Sequence, residues 1–368
     1  MVGIVVVTYN RLSLLKECID ALRHQTYKNF RIVIVNNGST DGTCEWLSLQ
    51  NDLIVISQEN SGGAGGFYTG LKYVAEHAYD YCWFMDDDVI CNVDALQELL
   101  WAVPLLKQDF GFLCSSVIDR NGNPTNVPEV DLRSQGAYSD WSRFLINGIV
   151  KVRSATFVSV FIPVQNIYKY GLPIKEFFIW GDDTEYTIRL SNALPCFLVS
   201  KSHVVHMRKM LEGLSFITES EPHRLRLYYY MFRNQFYIAR KGYWRKRLPI
   251  LRYLYTKIAL LLKTIVNLKF LHSWILVRAI GAAFFFSPTI KYQIEMIEGW
   301  YDFTLKETGI RIDYVLLLIL LFLIFIIYSR LVVSKEEKSI YERNYWLYAI
   351  IPIIAFSLIE GLRYARGV

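Results

Sequence analysis

Three consecutive aspartates, Asp86, Asp87 and Asp88, end a hydrophobic run that begins at Tyr81. Neighbouring carboxylates repel one another and are costly to remove from water, so a buried strand that ends in them needs positive charge nearby. A divalent cation that binds a phosphate group supplies that charge, because Mg²⁺ and Mn²⁺ favour oxygen ligands. The alternative is an acidic turn in which one aspartate caps the next segment.

A second acidic cluster also follows an aromatic run. Trp180 is followed by Asp182, Asp183 and Glu185, and a helical pattern covers residues 184–191. An aromatic ring offers an apolar face to a sugar ring, and a carboxylate beside it can remove a proton from a hydroxyl group. We predict Asp183 as a general base, with Trp180, Asp182 and Glu185 binding an acceptor molecule. The alternative is a helix N-cap followed by acidic first-turn residues.

Polar side chains also follow the first three predicted strands. Because the carboxyl ends of parallel strands meet at one edge of a sheet, these side chains are expected to lie close together. Their amide and hydroxyl groups suit a base and a ribose, so we predict contacts to a nucleotide-sugar donor; plain turns are the alternative. These predicted donor contacts are Thr8, Asn10 and Arg11 after the first strand, Asn36 and Asn37 after the second, and Asn60 after the third.

A glycine-rich segment at residues 61–66 leads into a predicted helix. Glycine lets a backbone approach a pyrophosphate closely, and the N-terminus of a helix attracts anions. The spacing matches neither the P-loop nor the GxGxxG pattern of dinucleotide-binding domains. We predict that Asn60 and Gly65 bind the donor, with a flexible loop as the alternative.

Residues 1–110 alternate strand and helix patterns. Repeated strand–helix units predict a mostly parallel sheet covered by helices on both faces, with ligands bound beyond the carboxyl ends of the strands. The predicted strands are 4–7, 30–35, 53–57 and 81–85, and the predicted helices are 12–23, 40–49, 66–79 and 94–105. A further strand is predicted at 196–200, and His203 and His206 follow it. Either histidine could be a further metal ligand, and a structural role is the alternative.

The chain has 368 residues, a net charge of +6 and six cysteines without CxxC spacing. Its length suggests two units of ordinary domain size, or one domain with an appendage. The modest positive charge is no nucleic-acid signature, and we predict no nucleic-acid partner. Cysteines without metal-ligand spacing indicate reduced thiols in a cytosolic compartment. The N-terminus lacks the basic start of a signal peptide and is predicted to form the first strand.

The C-terminal third is more hydrophobic. Between residues 221 and 310, basic residues alternate with aromatic and aliphatic ones, which predicts a helical region on an anionic membrane surface, with RNA as the alternative partner. Residues 314–329 and 345–359 carry no charge, although each stretch is shorter than the ~20 residues that cross a bilayer squarely. We predict a transmembrane hairpin over 311–368; a buried hairpin of a homo-oligomer and a re-entrant anchor are the alternatives.

Taken together, these motifs resemble the inverting family 2 glycosyltransferases of the GT-A fold, over residues 1–240. The segments that carry the resemblance are VVVTYNR at 5–11, VNNGSTDG at 35–42, NSGGAGGF at 60–67, FMDDD at 84–88 and WGDDTEY at 180–186. His206-Met207, followed by Tyr229 and Arg233-Asn234, is similar to the bacterial galactofuranosyltransferases. Asn36 departs from the family, in which many members have aspartate at this position.

The resemblance implies an α/β GT-A (Rossmann-like) domain over residues 1–220 that uses Mg²⁺ or Mn²⁺. It assigns the base to Asp183 and makes His206 a metal ligand beside Asp88. Asp86 and Asp87 are then expected to face the ribose and diphosphate of the donor.

We therefore expect a metal-dependent inverting glycosyltransferase at the cytoplasmic face of a bacterial inner membrane. The resemblance implies UDP-galactofuranose as the donor and a lipid-linked or growing surface glycan as the acceptor. The alternatives are a dTDP-rhamnose rhamnosyltransferase and a non-catalytic membrane scaffold with the same fold. A nucleotidyltransferase would have a glycine-rich, basic loop after the first strand, where this chain has Thr8-Tyr9-Asn10-Arg11.

Overall fold

The computed structural model describes residues 1–107, 109–133, 138–207, 215–243 and 249–292. The predicted hydrophobic hairpin at 311–368 lies outside these residues, and so does the end of the predicted basic aromatic region.

The described residues contain ten strands, most of them rich in β-branched and aromatic side chains, which favour extended backbone. In chain order they are β1 (Val2–Thr8), β2 (Phe30–Asn36), β3 (Leu53–Ser57), β4 (Tyr81–Asp86), β5 (Val89–Cys91), β6 (Leu113–Ile118), β7 (Glu129–Val130), β8 (Ile149–Ser154), β9 (Val160–Pro163) and β10 (Cys196–His206).

The helices each have an apolar stripe. Some cover the two faces of the sheet, and the last three come after the final strand in the chain. They are α1 (Leu12–Arg23), α2 (Thr43–Ser48), α3 (Gly62–Glu76), α4 (Ala95–Leu105), α5 (Val164–Tyr170), α6 (Asp182–Ala193), α7 (Pro222–Arg240), α8 (Pro249–Val266) and α9 (Phe270–Phe285). Short 3₁₀ turns lie at Leu145–Asn147 and Lys175–Phe177.

The first half of the sequence predicts its elements closely. Helix α1 and strand β3 begin and end at the predicted residues. Helix α2 is shorter than predicted. The Asp41 carboxylate accepts hydrogen bonds from the backbone nitrogens of Leu12 and Thr43, the first residues of α1 and α2. Asp41 therefore precedes α2 instead of lying within it. Strand β10 continues beyond residue 200 as far as His206, which the predicted strand did not reach.

The sheet is mixed. Its strand order is β3-β2-β1-β4-β9-β6-β10-β8-β7, with β5 paired to β10. Strands β3, β2, β1 and β4 run parallel, as do β6 and β10, whereas β9 lies antiparallel between β4 and β6. The prediction of a mostly parallel sheet is therefore wrong for the second half. Parallel neighbours need a long crossover, usually helical, and the described residues between β6 and β9 form no α-helix.

Hydrophobic clusters lie on both faces of the sheet, as predicted. On one face Leu15 and Ile19 of α1 pack with Leu96 of α4, and all three are fully buried. On the other face Phe67 of α3 packs with Tyr186 of α6 and with the strand residues between them. Strands buried on both faces explain the continuous apolar runs of β1 and β4.

Helices α7, α8 and α9 pack against one another. Phe236 of α7 contacts Tyr253 of α8 and Phe284 of α9, with ring centroids 5.3 and 5.0 Å apart. The Tyr253 hydroxyl donates to the Phe232 carbonyl at 2.7 Å. Over the part of the chain that the structure describes, no helix combines the length and apolar character needed to cross a bilayer.

Candidate active site

Strand pairing brings the aspartate triplet to His206. Short strand β5, just after the triplet, runs antiparallel to β10, with Val89 opposite His206. The Met207 amide donates to the Asp88 carbonyl at 2.8 Å, which fixes the register. As a result Nε2 of His206 lies 3.2 Å from Oδ1 of Asp88. The register therefore aligns two side chains that are more than a hundred residues apart in sequence.

Asp86, Asp88 and His206 form a group that could hold a metal ion, since one ligand atom from each lies within 4.8 Å of the others. Asp88 Oδ1 is buried and has no hydrogen-bond partner when Nε2 of His206, 3.2 Å away, carries no proton. A buried carboxylate oxygen without a partner is costly, and a cation would satisfy it. Two oxygens and one imidazole suit Mn²⁺ and are compatible with Mg²⁺. Asp86, predicted as a donor contact, thus joins the residues that could hold a metal ion.

Asn126 orients the His206 ring. Its Oδ1 lies 2.8 Å from Nδ1 of His206 and also accepts a hydrogen bond from the Thr125 hydroxyl at 3.3 Å. An oxygen acceptor at this place puts the imidazole proton on Nδ1, which leaves the lone pair of Nε2 for a cation. Asn126 has a φ of +48°, a left-handed conformation that asparagine adopts more readily than most residues. Nothing in the sequence pattern singled out this residue.

His206 and Arg11 both act on the Asp88 carboxylate. Burial acts to raise the pKa of Asp88, but the hydrogen bond and charge of a protonated His206, together with the charge of Arg11, hold it below its ordinary value. A neutral His206 instead faces the Asp88 carboxylate with its lone pair. A metal ion would then take the place of the proton between them.

Asp87 binds side chains at and just after the end of β1, and it is not one of the three residues that could hold a metal ion. It is buried, and its carboxylate accepts the Thr8 hydroxyl at 2.7 Å and the Arg11 guanidinium at 3.2 Å. Arg11 also donates to Asp88 Oδ2 at 2.7 Å. Burial raises the pKa of Asp87 to about 6 although Arg11 and Thr8 oppose the shift. Thr8 and Arg11, both predicted donor contacts, therefore stabilise the aspartates directly, and the Arg11 side chain remains half exposed.

The turns after β1 and β2, which carry predicted donor contacts, are joined by hydrogen bonds. The Asn10 amide donates to the Ser39 hydroxyl at 3.0 Å, and Asn10 Oδ1 accepts the Thr40 amide at 2.7 Å. Asn36 is buried, with its Oδ1 accepting the Ser39 amide at 3.1 Å. These bonds join the turns after β1 and β2 into one rim.

Asn37 and Asn60 organise the glycine-rich segment. Nδ2 of Asn37 donates to the Gly62 carbonyl at 2.9 Å, and its Oδ1 accepts from Gln58 Nε2 at 2.8 Å. Asn60 Oδ1 accepts the Gly62 amide at 2.9 Å. Asn37 is 2% exposed, so its side chain acts inside the loop rather than at the protein surface.

The glycines let backbone and helix pack closely. Gly62 has a φ of +74°, and a Cβ there would lie 2.0 Å from the Phe178 carbonyl oxygen. Gly65, predicted to bind the donor, is buried inside α3, where a Cβ would lie 2.1 Å from the Ser61 hydroxyl. The segment is helical from Gly62 onward, so the flexible-loop alternative is wrong.

The second acidic cluster lies at the N-terminus of α6. Gly181, with a φ of +94°, precedes Asp182 and Asp183. Burial and the neighbouring Asp183 raise the pKa of Asp182 to about 8, and burial also raises the pKa of Asp183. The Thr184 amide donates to Asp183 Oδ1 at 2.6 Å.

The two acidic clusters lie near each other, because the charge of Asp182 acts on Asp86. Burial raises the pKa of Asp86 well above its ordinary value; Asp88, Asp87 and then Asp182 raise it further, while Arg11 opposes them. The carboxylate of Asp182 is therefore close enough to act on the metal group. The sequence predicted both clusters, and the fold brings them together.

The loop before α6 has an unusual backbone. Phe178 and Trp180 have φ values of +63° and +61°, each of which costs roughly 1–3 kcal/mol in a residue other than glycine. Trp180, a predicted acceptor contact, is partly buried and packs against Tyr228 at 5.3 Å between ring centroids. Such a conformation persists only where surrounding contacts hold it.

Asn234 of α7 supplies those contacts. It is fully buried, and its Nδ2 donates to the carbonyls of Phe177, Ile179 and Trp180 at 2.9, 3.1 and 2.8 Å. Arg233 donates to the Glu176 carbonyl and to Asn234 Oδ1. The sequence pattern included Arg233-Asn234. It did not indicate that Asn234 binds the backbone of the loop, up to Trp180, which lies two residues before Asp182.

Glu185 is in a structural position. It is fully buried and forms a double hydrogen bond with Arg189, from Nη2 to Oε2 at 2.8 Å and from Nε to Oε1 at 3.0 Å. The Tyr243 hydroxyl donates to the same carboxylate at 3.3 Å. The predicted acceptor contact therefore does not agree with the structure, because both carboxylate oxygens are used inside the protein.

Residues 3–162 match the protein-family model "Glycosyl transferase family 2", and this segment includes the first aspartate cluster and its supporting turns. Residues 3–162 are thus similar to glycosyl transferase family 2 domains, over less than half of the chain. The chain is also similar to glycosyltransferase GlyA of Streptococcus pneumoniae, with 34% identity over 102 residues that cover 27% of this chain and 14% of the relative. The chain thus spans only a small part of that relative's length.

A longer match extends beyond the segment that matches family 2. The galactofuranosyltransferase GlfT1 of Mycolicibacterium smegmatis is 26% identical over 280 residues, covering 67% of this chain and 85% of that protein. The solved structure of residues 1–349 of TarS from S. aureus, in complex with UDP-GlcNAc, covers 77% of this chain and 80% of its own, with a TM-score of 0.50 and 17% identity. That likeness concerns the fold, an α/β GT-A-like mixed sheet. These matches agree with the prediction of a glycosyltransferase, and the family 2 match covers residues 3–162.

Proposed function

We propose that this chain transfers a sugar, with inversion at the anomeric carbon, from a nucleotide-sugar donor to a hydroxyl group of a glycan. The observation that carries the proposal is that a possible metal group, Asp86, Asp88 and His206, lies near the acidic pair Asp182 and Asp183, whose charge acts on Asp86. One cluster suits a diphosphate with its cation, and the other suits removal of a proton.

The donor proposed here is UDP-galactofuranose. Its support is the similarity to the galactofuranosyltransferase GlfT1, which extends over two thirds of this chain and most of that protein. The acceptor proposed is a lipid-linked or growing bacterial surface glycan, at the cytoplasmic face of the inner membrane.

The proposed reaction is a single displacement. The acceptor hydroxyl oxygen forms a bond to the anomeric carbon, while the bond from that carbon to the diphosphate oxygen breaks. Its electron pair leaves with the nucleoside diphosphate, and the hydroxyl proton goes to the carboxylate of Asp183. Burial that raises the pKa of Asp183 makes it a stronger base than an ordinary aspartate. Asp182, adjacent in sequence, would help to orient the acceptor.

Asp86, Asp88 and His206 would hold Mg²⁺ or Mn²⁺, which when bound neutralises charge on the departing diphosphate. Asn126 keeps the His206 lone pair available to the ion. Arg11, half exposed and already paired with two aspartates, is the proposed cationic contact to the donor phosphates.

A donor screen tests this proposal. The full chain is incubated with Mn²⁺ or Mg²⁺ and with UDP-galactofuranose, UDP-galactopyranose, UDP-glucose or dTDP-rhamnose, and the released nucleoside diphosphate is measured. We expect release above background with UDP-galactofuranose, and loss of release when the cation is chelated. Release from no donor would contradict the transfer itself, whereas release only from another donor would contradict the sugar and leave the transfer standing.

A further inference from the structure

Helices α8 and α9 turn apolar side chains outward. On α8 the exposed residues Leu251, Tyr255, Leu262 and Val266 follow helical spacing along one face. Their opposite face, with Tyr253 and Leu254, is buried. Large side chains are exposed in this way on soluble proteins only singly, so a complete stripe indicates a surface that something covers.

Helix α9 repeats the pattern. Its exposed residues are Phe270, Leu271, Trp274, Val277 and Phe285, between 47% and 72% exposed. Its buried face meets α7 through Phe284, as α8 does through Tyr253. Because both helices bury one face against α7, their exposed stripes lie on the sides turned away from it. We name these two stripes, with Leu268 in the turn between the helices, the outer apolar surface.

The segment that carries this surface has charged side chains of one sign. Residues 222–292 contain fourteen lysines and arginines and no aspartate or glutamate. Arg252 and Lys263 of α8 and Arg278 of α9 are exposed beside the apolar stripes. An apolar face edged by cations is complementary to lipid tails beneath anionic headgroups, and long basic side chains can reach those headgroups.

We propose that the outer apolar surface docks on a bilayer that contains anionic lipids, with α8 and α9 lying in the plane of the interface. Neither helix is long and apolar enough to span, in agreement with a surface position. The proposal deepens the membrane location proposed above by naming the surface that makes contact. It rests on residues outside the candidate active site and is tested without any measurement of activity.

The docked face and the candidate active site share helix α7. Phe236 of α7 packs against both outer helices, and Asn234 of the same helix holds the loop before Asp182. Helix α7 would therefore connect a bilayer bound at α8 and α9 to the acidic pair Asp182 and Asp183. This link suits an acceptor that is itself held in the membrane.

An environment-sensitive label tests the contact. Trp274→Cys is labelled with a polarity-sensitive fluorophore in the full chain carrying Cys44→Ser, which removes the exposed native thiol. The matched control is Ile146→Cys, at an apolar side chain that is 96% exposed and lies outside α8 and α9. Vesicles of phosphatidylglycerol and phosphatidylcholine are expected to shift the emission of the label at position 274 to the blue, and to leave that at position 146 unchanged.

Charge reversal tests the cationic edge. The triple variant Arg252→Glu, Lys263→Glu and Arg278→Glu is expected to bind anionic vesicles at least about a hundredfold more weakly, at about fivefold for each basic residue lost. The control reverses the exposed residues Lys16, Lys107 and Arg120 on the other helices and loops, with the same change in net charge. Thermal unfolding confirms that each variant is folded, and added salt is expected to weaken binding of the unaltered chain.

Three outcomes would overturn the proposal. The label at position 274 would show no shift with anionic vesicles, or an equal shift with phosphatidylcholine alone. Both charge-reversed chains would lose vesicle binding equally. Alternatively, the label at position 274 would already be shielded without vesicles, with light scattering reporting a dimer, which would assign the outer apolar surface to a second copy of the chain.

Discussion

Asn234 donates a 2.8 Å hydrogen bond to the carbonyl of Trp180, two residues before the acidic pair. The same amide group also contacts the carbonyls of Phe177 and Ile179. Asn234 thereby stabilises a backbone that two positive φ values make unfavourable. Its side chain does not reach the reacting atoms, so we regard it as a positioning residue for Asp182 and Asp183.

Replacing Asn234 should reduce turnover more than donor binding. In Asn234→Ala the strained loop relaxes and the acidic pair moves, and a misplacement of about 1 Å costs on the order of a hundredfold in rate. We expect kcat to fall by about that factor with little change in the KM for the donor. Asn267→Ala, which removes an exposed asparagine that bonds only within its own helix end, is the control. An equal rise in donor KM would mean that the loop binds the donor instead.

Asp183→Asn should abolish transfer and preserve donor binding. The amide keeps the shape of the side chain but cannot accept the hydroxyl proton, so we expect a loss of about 10²–10⁴-fold in kcat. Donor affinity is measured by calorimetry with Mn²⁺ present, and the exposed Asp109→Asn serves as control. A large loss of donor affinity would instead indicate that Asp183 helps to bind the metal ion and does not act as the base.

Asn126→Leu should weaken metal binding without touching a metal ligand. The substitution removes the acceptor that keeps the proton on Nδ1 of His206, and loss of such a partner typically costs about 10–100-fold in affinity. Mn²⁺ binding is followed by electron paramagnetic resonance in the absence of donor. Asn123→Leu, in the same turn but bonded to Asp119, provides the comparison. Equal Mn²⁺ affinities for the two variants would show that Asn126 does not orient the ring.

The pH profile should report the buried acidic pair. Below its pKa a carboxyl group already holds its proton and cannot accept another, so activity should rise with pH through that pKa. Because burial raises the pKa of Asp183, this acid limb should lie well above the range of an ordinary aspartate. Burial raises the pKa of the neighbouring Asp182 to about 8, and the charge of Asp183 contributes to that shift, so the two carboxyls interact.

Asp182→Asn removes one of these two negative charges. We expect the pKa of Asp183 to fall, so the acid limb of kcat should move to lower pH, measured at saturating Mn²⁺ and donor. A profile that is unchanged in position would mean that the limb belongs to another group, such as Asp87.

Glu185→Gln should destabilise the fold rather than weaken acceptor binding. It leaves the buried Arg189 guanidinium without its carboxylate, and breaking a buried pair in this way costs about 3–5 kcal/mol. Urea unfolding measures the loss, with the exposed Glu45→Gln as control. Unchanged stability together with a higher KM for the acceptor would instead restore the acceptor contact predicted from the sequence.

Local chemistry made the first half of the chain predictable. The helical stripe of α1 and the β-branched run of β3 depend on neighbouring residues alone, and both were predicted to the residue. The aspartates after β4 and the acidic start of α6 were visible for the same reason. Strand order in the second half was not, because the pairing of β9 between β4 and β6 depends on contacts far apart in sequence.

The sequence by itself determined which residues carry the chemistry: an aspartate triplet after a buried strand, an acidic pair after a tryptophan, and His206 through its likeness to a known family. Only the tertiary structure decided their partners. It joined Asp86 to the metal group, gave His206 its Asn126 acceptor, buried Glu185 against Arg189 and set Asn234 behind the acidic pair. The physical reason is that residue type limits what a side chain can do, whereas burial and the groups that meet it in space select which of those things it does.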